Sequence, residues 1–259
     1  AGLRQNKNRP QLIRKLSDTY IDEYRTTIRK TEKGVEPNLE LLNNCALIDP
    51  GNPRLGEEIA QLVAAGGKAD SSTMQALMDQ IGTGQTSAVA HLIIADYYLS
   101  RKEIGKAVGH WEISLVKNPN MLLALRNLSL TLLQNEKPDY KRAYELNERA
   151  IRIAGEAPDL LDTRGSIYLA AGRNSEAIAE FEKAIKIQPA RLETREKIVK
   201  AYQAQGLDKE AEAQQKMIVD IRKKIEEYQA QLKQKEEARE KEKETAASSS
   251  DAATQLPKP

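Results

Sequence analysis

The chain has 259 residues, 40% of them hydrophobic but only 4% aromatic, and a formal net charge of +2. That composition supports a long, thin core of Leu, Ile and Ala, and it excludes a strong overall field toward nucleic acid or a membrane surface. No apolar run reaches the length of a membrane span, the start AGLRQNKNRP lacks a signal-peptide core, and the single Cys45 forbids an internal disulfide, which fits a reducing, cytoplasmic compartment. The chain as given reads as soluble, and its alanine start leaves room for an upstream anchor, cleaved signal or further domain.

At the N-terminus Arg4, Lys7, Arg9, Arg14 and Lys15 precede the first acid, Asp18. No aromatics are interleaved, so a solvated tail is preferred over an arm for nucleic acid or an anionic membrane. Leu12, Leu16, Tyr20, Tyr24 and Ile28, with Ile13 and Ile21 beside them, form one apolar stripe and predict an amphipathic helix from Pro10 to about Thr31. Further helices are expected over Leu39 to Ile48, Leu55 to about Ala65, and Thr73 to Ile81, the last with Met74, Leu77, Met78 and Ile81 inward. The run Gly82-Thr83-Gly84-Gln85-Thr86-Ser87 resembles the end of a phosphate-binding loop, but Gln85 replaces the lysine, Asp79 the first glycine, and no strand precedes it. Two glycines ending one helix, with Thr86 or Ser87 capping the next, is the better account.

From here a hairpin pattern recurs. Alanines stand at Ala107, Ala143, Ala177 and Ala211, bulky residues four positions on at Trp111 and Phe181, and prolines at Pro119 and Pro189. In the first unit His91, Ile94, Ala95 and Tyr98 precede Ala107, Trp111, Ser114 and Leu115; the small pair Ala95 and Ala107 lets two helix axes approach closely. The third unit carries Gly165, Tyr168, Gly172, Ala177, Phe181, Ala184 and Ile185, and the fourth Tyr202, Gly206 and Ala211. The second departs. Its segment LQNEKPDYKRA is lengthened around Pro138, and Asn147 stands where a bulky apolar residue is expected. With a period of about 34 residues, the A-x3-F…P signature resembles the tetratricopeptide repeat, or TPR. The resemblance implies an all-α solenoid, a right-handed superhelix of antiparallel helix pairs. The expected divisions are 1–51 and 52–86 as degenerate helix pairs, then repeats over 87–121, 122–157, 158–191 and 192–245, with a disordered tail over 246–259.

The last helix is expected to run past its repeat. Ile218, Ile221, Ile225, Tyr228 and Leu232 alternate steps of three and four before Lys235 and Arg239 end the seam. A helix capping the exposed end of the solenoid is preferred to a coiled coil that would join two copies, because the seam is short. Beyond it, KQKEEAREKEKE sustains a solvated helix through Glu–Lys pairs, and AASSSDAATQLPKP has no core-forming content.

No catalytic constellation assembles. His110-Trp111-Glu112 has no C-x-x-C to complete a zinc deaminase site, and His91 and His110 are the only histidines. The chain is therefore expected to be a non-catalytic scaffold for a protein partner, without cofactor, metal or small-molecule substrate. The TPR resemblance implies a concave face lined by Val89, Leu92, Asp96 and Leu99, then Leu123, Arg126, Leu130 and Leu133, then Asp159, Asp162, Ser166 and Leu169, then Glu193, Glu196, Lys200 and Gln203. Apolar anchors of a bound peptide or helix would enter the first half, and a basic residue would face Asp159, Asp162, Glu193 and Glu196. Of the carboxylate clamp used by chaperone-binding members only Asn127 matches; Leu92, Asp96, Asp159 and Thr163 are the wrong chemistry. The alternatives are an accessory acting through the basic arm, or the recognition part of a longer enzyme.

Overall fold

The computed structural model describes residues 9–27, 29–31, 34–36, 38–66, 74, 77–79 and 87–253. The chain divides into two compact units, Ala1–Ala184 and Ile185–Pro259. The first holds helices α1 (Arg9–Thr27), α2 (Leu39–Ile48), α3 (Pro53–Gly66), α4 (Ala88–Ser100), α5 (Ile104–Lys117), α6 (Leu122–Thr131), α7 (Tyr140–Ala154) and α8 (Pro158–Ala170). Helix α9 (Asn174–Ile187) contains the boundary, and the second unit holds α10 (Leu192–Ala204) and α11 (Asp208–Ala253). The architecture is an all-α repeat array with one small addition. Strands β1 (Arg29–Thr31) and β2 (Gly34–Glu36) pair antiparallel, Lys30 opposite Val35.

That hairpin corrects the first expected helix, which ends at Thr27 rather than Thr31. The cause is local. Thr26 Oγ1 donates to Glu23 O at 2.8 Å and Thr27 Oγ1 to the carbonyls of Glu23 and Tyr24 at 3.1 and 3.2 Å, so hydroxyls hold the last carbonyls of α1. The expected stripe holds at Tyr20, Ile21 and Tyr24 and fails in its first half. Leu12 and Leu16 are exposed, while Ser17, Ile21 and Tyr24 are buried. Ser17 turns inward because Asn52 Nδ2 donates to its Oγ at 2.6 Å and Cys45 Sγ lies 3.1 Å away. A satisfied polar cluster thus takes the place where apolar spacing expects a leucine.

Helices α2 and α3 stand close to their expected bounds, and Pro53 opens α3 at the turn where a missing N–H costs nothing. Met74 and Leu77 are buried, with Met78 packed beside them; Ile81 and residues 82–86 lie outside the described residues. Ser87 caps α4, its Oγ accepting from Ala90 N at 3.0 Å.

In the repeats, α4 pairs with α5, α6 with α7, and α10 with α11. Ala107, Trp111, Ala143, Ala177 and Phe181 are buried. Gly165 permits the third hairpin, since a Cβ there would lie 2.5 Å from Phe181 Cε1. Asn147, the odd residue of the second repeat, is buried and donates from Nδ2 to Leu160 O at 3.1 Å, tying α7 to the next repeat by a hydrogen bond instead of apolar bulk. Its lengthened turn ends at Asp139, which accepts from Arg142 N at 2.9 Å. The hairpin turns use positive φ at Lys102 (61°), Gly172 (74°) and Gly206 (70°), three equivalent positions of which only the first carries a Cβ.

In the second unit Val199, Ala211 and Ile218 form a small core with Leu192 and Tyr202. Helix α11 then continues to Ala253, past the expected start of the tail at 246. The expected tail over 254–259 lies outside the described residues.

Candidate functional site

The helix that opens each repeat carries the expected groove residues, and the structure sorts them unequally. On α4, Val89 and Leu92 are fully buried and belong to the core, which corrects their assignment to an open surface. Leu99 is half-buried, as is Asp96. Asp96 Oδ1 accepts from Trp111 Nε1 at 3.1 Å and from Asn127 Nδ2 at 3.0 Å, so one carboxylate joins α4, α5 and α6. Burial pushes its pKa up to about 6 against the opposing effect of those two hydrogen bonds and of the Arg126 charge. Arg126 Nε is itself buried with no hydrogen-bond partner among the described residues.

On α6, Leu123, Arg126, Leu130 and Leu133 are half-buried. On α8, Asp159 is exposed, Ser166 and Leu169 are half-buried, and Asp162 is buried. Asp162 therefore does not offer the open acid expected of it, and Ser166 Oγ donates to Asp162 O at 2.8 Å within its own helix. In the second unit Glu193, Lys200 and Gln203 are exposed, but Arg222 Nη2 donates to Glu196 Oε1 at 2.6 Å, so Glu196 is already engaged by a cation of its own unit.

The N-terminal helices lie on α4 and on the start of α6. A Cβ on Gly51 would lie 3.5 Å from Leu122 Cδ1, and one on Gly56 3.9 Å from Leu123 Cδ1, so the α2–α3 turn and the start of α3 lie against the start of α6. Helices α2 and α3 also pack on α4. In a simple array each repeat touches only its neighbours; here the segment preceding the first repeat reaches the second. It is tied down by an ion pair of Arg14 with Asp49, by Arg14 Nη2 donating to Gly51 O at 3.3 Å, and by Asn52 Nδ2 donating to Asp18 Oδ1 at 2.9 Å.

Between this turn, α6 and the α7–α8 junction lies a cavity of about 540 Å³. Leu122, Leu123, Ile153 and Leu160 give it apolar walls, and Asp49 and Asp159 bring carboxylates to it. Two expected groove residues, Leu123 and Asp159, thus meet at one cavity. Arg14 and Asp49 are lining residues that sequence reasoning missed: Arg14 reads as one charge of a basic arm, and nothing in the spacing announces its partner.

Other chemistry is structural. Arg164, 11% exposed, bonds Glu148, Glu156 and Glu180 at 3.0, 3.1 and 2.6 Å, holding α7, α8 and α9 residues together. His91 Nδ1 and His110 Nδ1 are 3.0 Å apart, with His110 stacked on Tyr98. Burial, then the neighbouring His110 and Lys117, lower the His91 pKa to about 4. Among the described residues no group of three His, Cys, Asp or Glu side chains is placed to hold a metal ion, and no helix is long and apolar enough to cross a membrane.

Successive helical hairpins at a fixed period define a repeat scaffold for protein interaction. The sequence model of the tetratricopeptide repeat-like domain matches residues 57–209, and the chain belongs to that family. No curated protein sequence matches it. Among solved structures it is similar to a crystal structure of MamA, at 20% identity and TM-score 0.53 over 60% of this chain and 90% of that one. It is also similar to MamA 41-end from Desulfovibrio magneticus RS-1, at 14% identity and TM-score 0.53 over 59% and 85%. A MamA RS-1 ArsTM double mutant matches at 15% identity and TM-score 0.55 over 66% and 94%. At these identities the likeness is one of fold.

Proposed function

We propose that the chain is an adaptor whose first unit captures a segment of a protein partner on the face shared by α6 and α8, with an apolar anchor in the cavity at Leu123 and Leu160 and a basic residue toward Asp159. The observation that carries this reading is the cavity itself. It brings two residues of the expected recognition face to one apolar hollow with carboxylates beside it, the combination of apolar walls and few polar groups that suits an anchored segment. Leu130 and Leu133 of α6, with Leu99, Arg126, Ser166 and Leu169, all half-buried, are the further residues this reading assigns to the partner.

Affinity capture of a partner by the full chain, compared with Asp159→Lys and Leu130→Asp, tests the proposal. Asp159 is exposed, so its charge reversal is expected to leave helical content intact while weakening capture of a basic segment about tenfold. Leu130→Asp is expected to abolish capture. Undiminished capture by both folded variants would overturn the reading.

A further inference from the structure

Helix α11 carries an apolar stripe that the described residues of its own unit leave partly exposed. Ile218 is buried against α10, but further along Ile225 is 36%, Tyr228 62% and Leu232 41% exposed. The preferred expectation, that the seam up to Leu232 caps the fourth repeat, therefore holds for its first turn only. Past it, Pro189, Ala190, Ile221, Ile225, Tyr228 and Leu232 give apolar walls to a groove of about 550 Å³ that Arg195, Lys224 and Gln229 also line.

We infer that this stripe is a homotypic interface, in which α11 of a second copy of the chain lies antiparallel along Ile221 to Leu232. The occupant follows from register and charge. Seam residues fall at alternating steps of three and four, and an antiparallel pair sets each a position against a d position of the other helix. One register places Ile221 opposite Leu232 and Ile225 opposite Tyr228 in both directions, filling all four apolar layers with apolar partners. Shifting it by one heptad either way loses layers, to Lys235 in one direction and to the already buried Ile218 in the other. In the chosen register Leu232 of the second copy enters the groove beside Ile221, Pro189 and Ala190. The flanking positions set Lys224 against Gln231 and Arg222 against Gln229, so no like charges meet at those positions, and Lys235 of the second copy falls opposite Ile218.

A parallel pair fills the same four layers but continues into Lys235 against Lys235 and Arg239 against Arg239 at the seam, two like-charge contacts that the antiparallel pair avoids. Four apolar layers make a small interface, in the class of weak, reversible associations. The stripe is self-complementary, as a two-fold interface requires.

Sedimentation of the full chain over a micromolar concentration series is expected to show a reversible monomer–dimer equilibrium, and Tyr228→Asp, at a position open to solvent, is expected to weaken it at least tenfold with helical content unchanged. Orientation is read by disulfide trapping of Ile225→Cys and Tyr228→Cys chains, with the buried Cys45 left in place. Mixed chains are expected to cross-link to each other and neither alone to itself. Homodimeric cross-links of Ile225→Cys would mean a parallel pair and overturn the proposal. A wild-type chain that stays monomeric throughout would overturn it too, leaving the groove to a foreign segment.

Discussion

The first and third repeats occupy the same register and solve the same packing problem in opposite ways. In the first, Trp111 fills the space between helices and its indole N–H is held by the carboxylate of Asp96; in the third, Phe181 lies on the bare backbone of Gly165 with no polar bond needed. The turn is Lys102 at φ 61° in one and Gly172 at φ 74° in the other. The first expected groove position of the opening helix differs too: Val89 is sealed in the core while its counterpart Asp159 stands exposed, although the next pair, Leu92 and Asp162, is buried in both. A repeat position thus fixes direction but not exposure, because a segment from outside the repeat can lie across the face.

The largest expected effect tests whether the two aromatics are equivalent. Trp111→Ala and Phe181→Ala should each cost about 3–5 kcal/mol in thermal or denaturant unfolding. Gly165→Ala should cost about 1–3 kcal/mol despite alanine's better helix propensity, because the new methyl meets a rigid ring at 2.5 Å. In the Phe181→Ala background that penalty should vanish, whereas Ala95→Gly in the first repeat should cost only about 1 kcal/mol. Additive penalties at Gly165 and Phe181 would break the distinction.

The first repeat should also titrate through its buried groups. The raised value of Asp96 means that its proton favours the folded chain: the gain is complete below the ordinary carboxylate value of 3.8 and is lost as pH rises through about 6. His91 acts in reverse. Its value is lowered from 6.5 to about 4, so its contribution is full above 6.5 and is lost as pH falls toward 4. Asp96→Asn should keep both hydrogen bonds, raise stability at pH 7.5 by roughly 1–3 kcal/mol, and leave a stability that falls as acid is added because the His91 contribution is no longer offset. Melting temperatures from pH 4 to 8 read this; a variant curve parallel to wild type would contradict the assignment.

The smallest effect is at the turn. Lys102→Gly should stabilise by about 0.5–1 kcal/mol, since glycine adopts positive φ without the cost that a Cβ brings, and Gly172 already has that advantage.

The hairpin fold was legible because Ala, aromatic, Gly and Pro positions recur at a fixed period, and each is tied to a local requirement: close approach, filling, positive φ, helix end. What stayed hidden lies between distant segments. Ser17 turns inward where Asn52 and Cys45 receive it, so a search for apolar spacing finds Tyr20, Ile21 and Tyr24 but wrongly turns Leu12 and Leu16 inward. Asn147 replaces bulk with a bond to Leu160 O. Glu196 is an open acid in sequence and an ion pair with Arg222 in the fold. The cavity at Leu123 and Asp159 depends on the α2–α3 turn crossing to α6, a contact that nearest-neighbour stacking does not produce.

Site-specific photocross-linking tests most directly whether the face shared by α6 and α8 holds a partner, whatever that partner is. A photoreactive amino acid at Leu133 or Leu169 should form a discrete covalent adduct with a captured protein, and the same group at Val116 on α5, 81% exposed, should form none. Adducts at Val116 with none at Leu133 or Leu169 would contradict that placement.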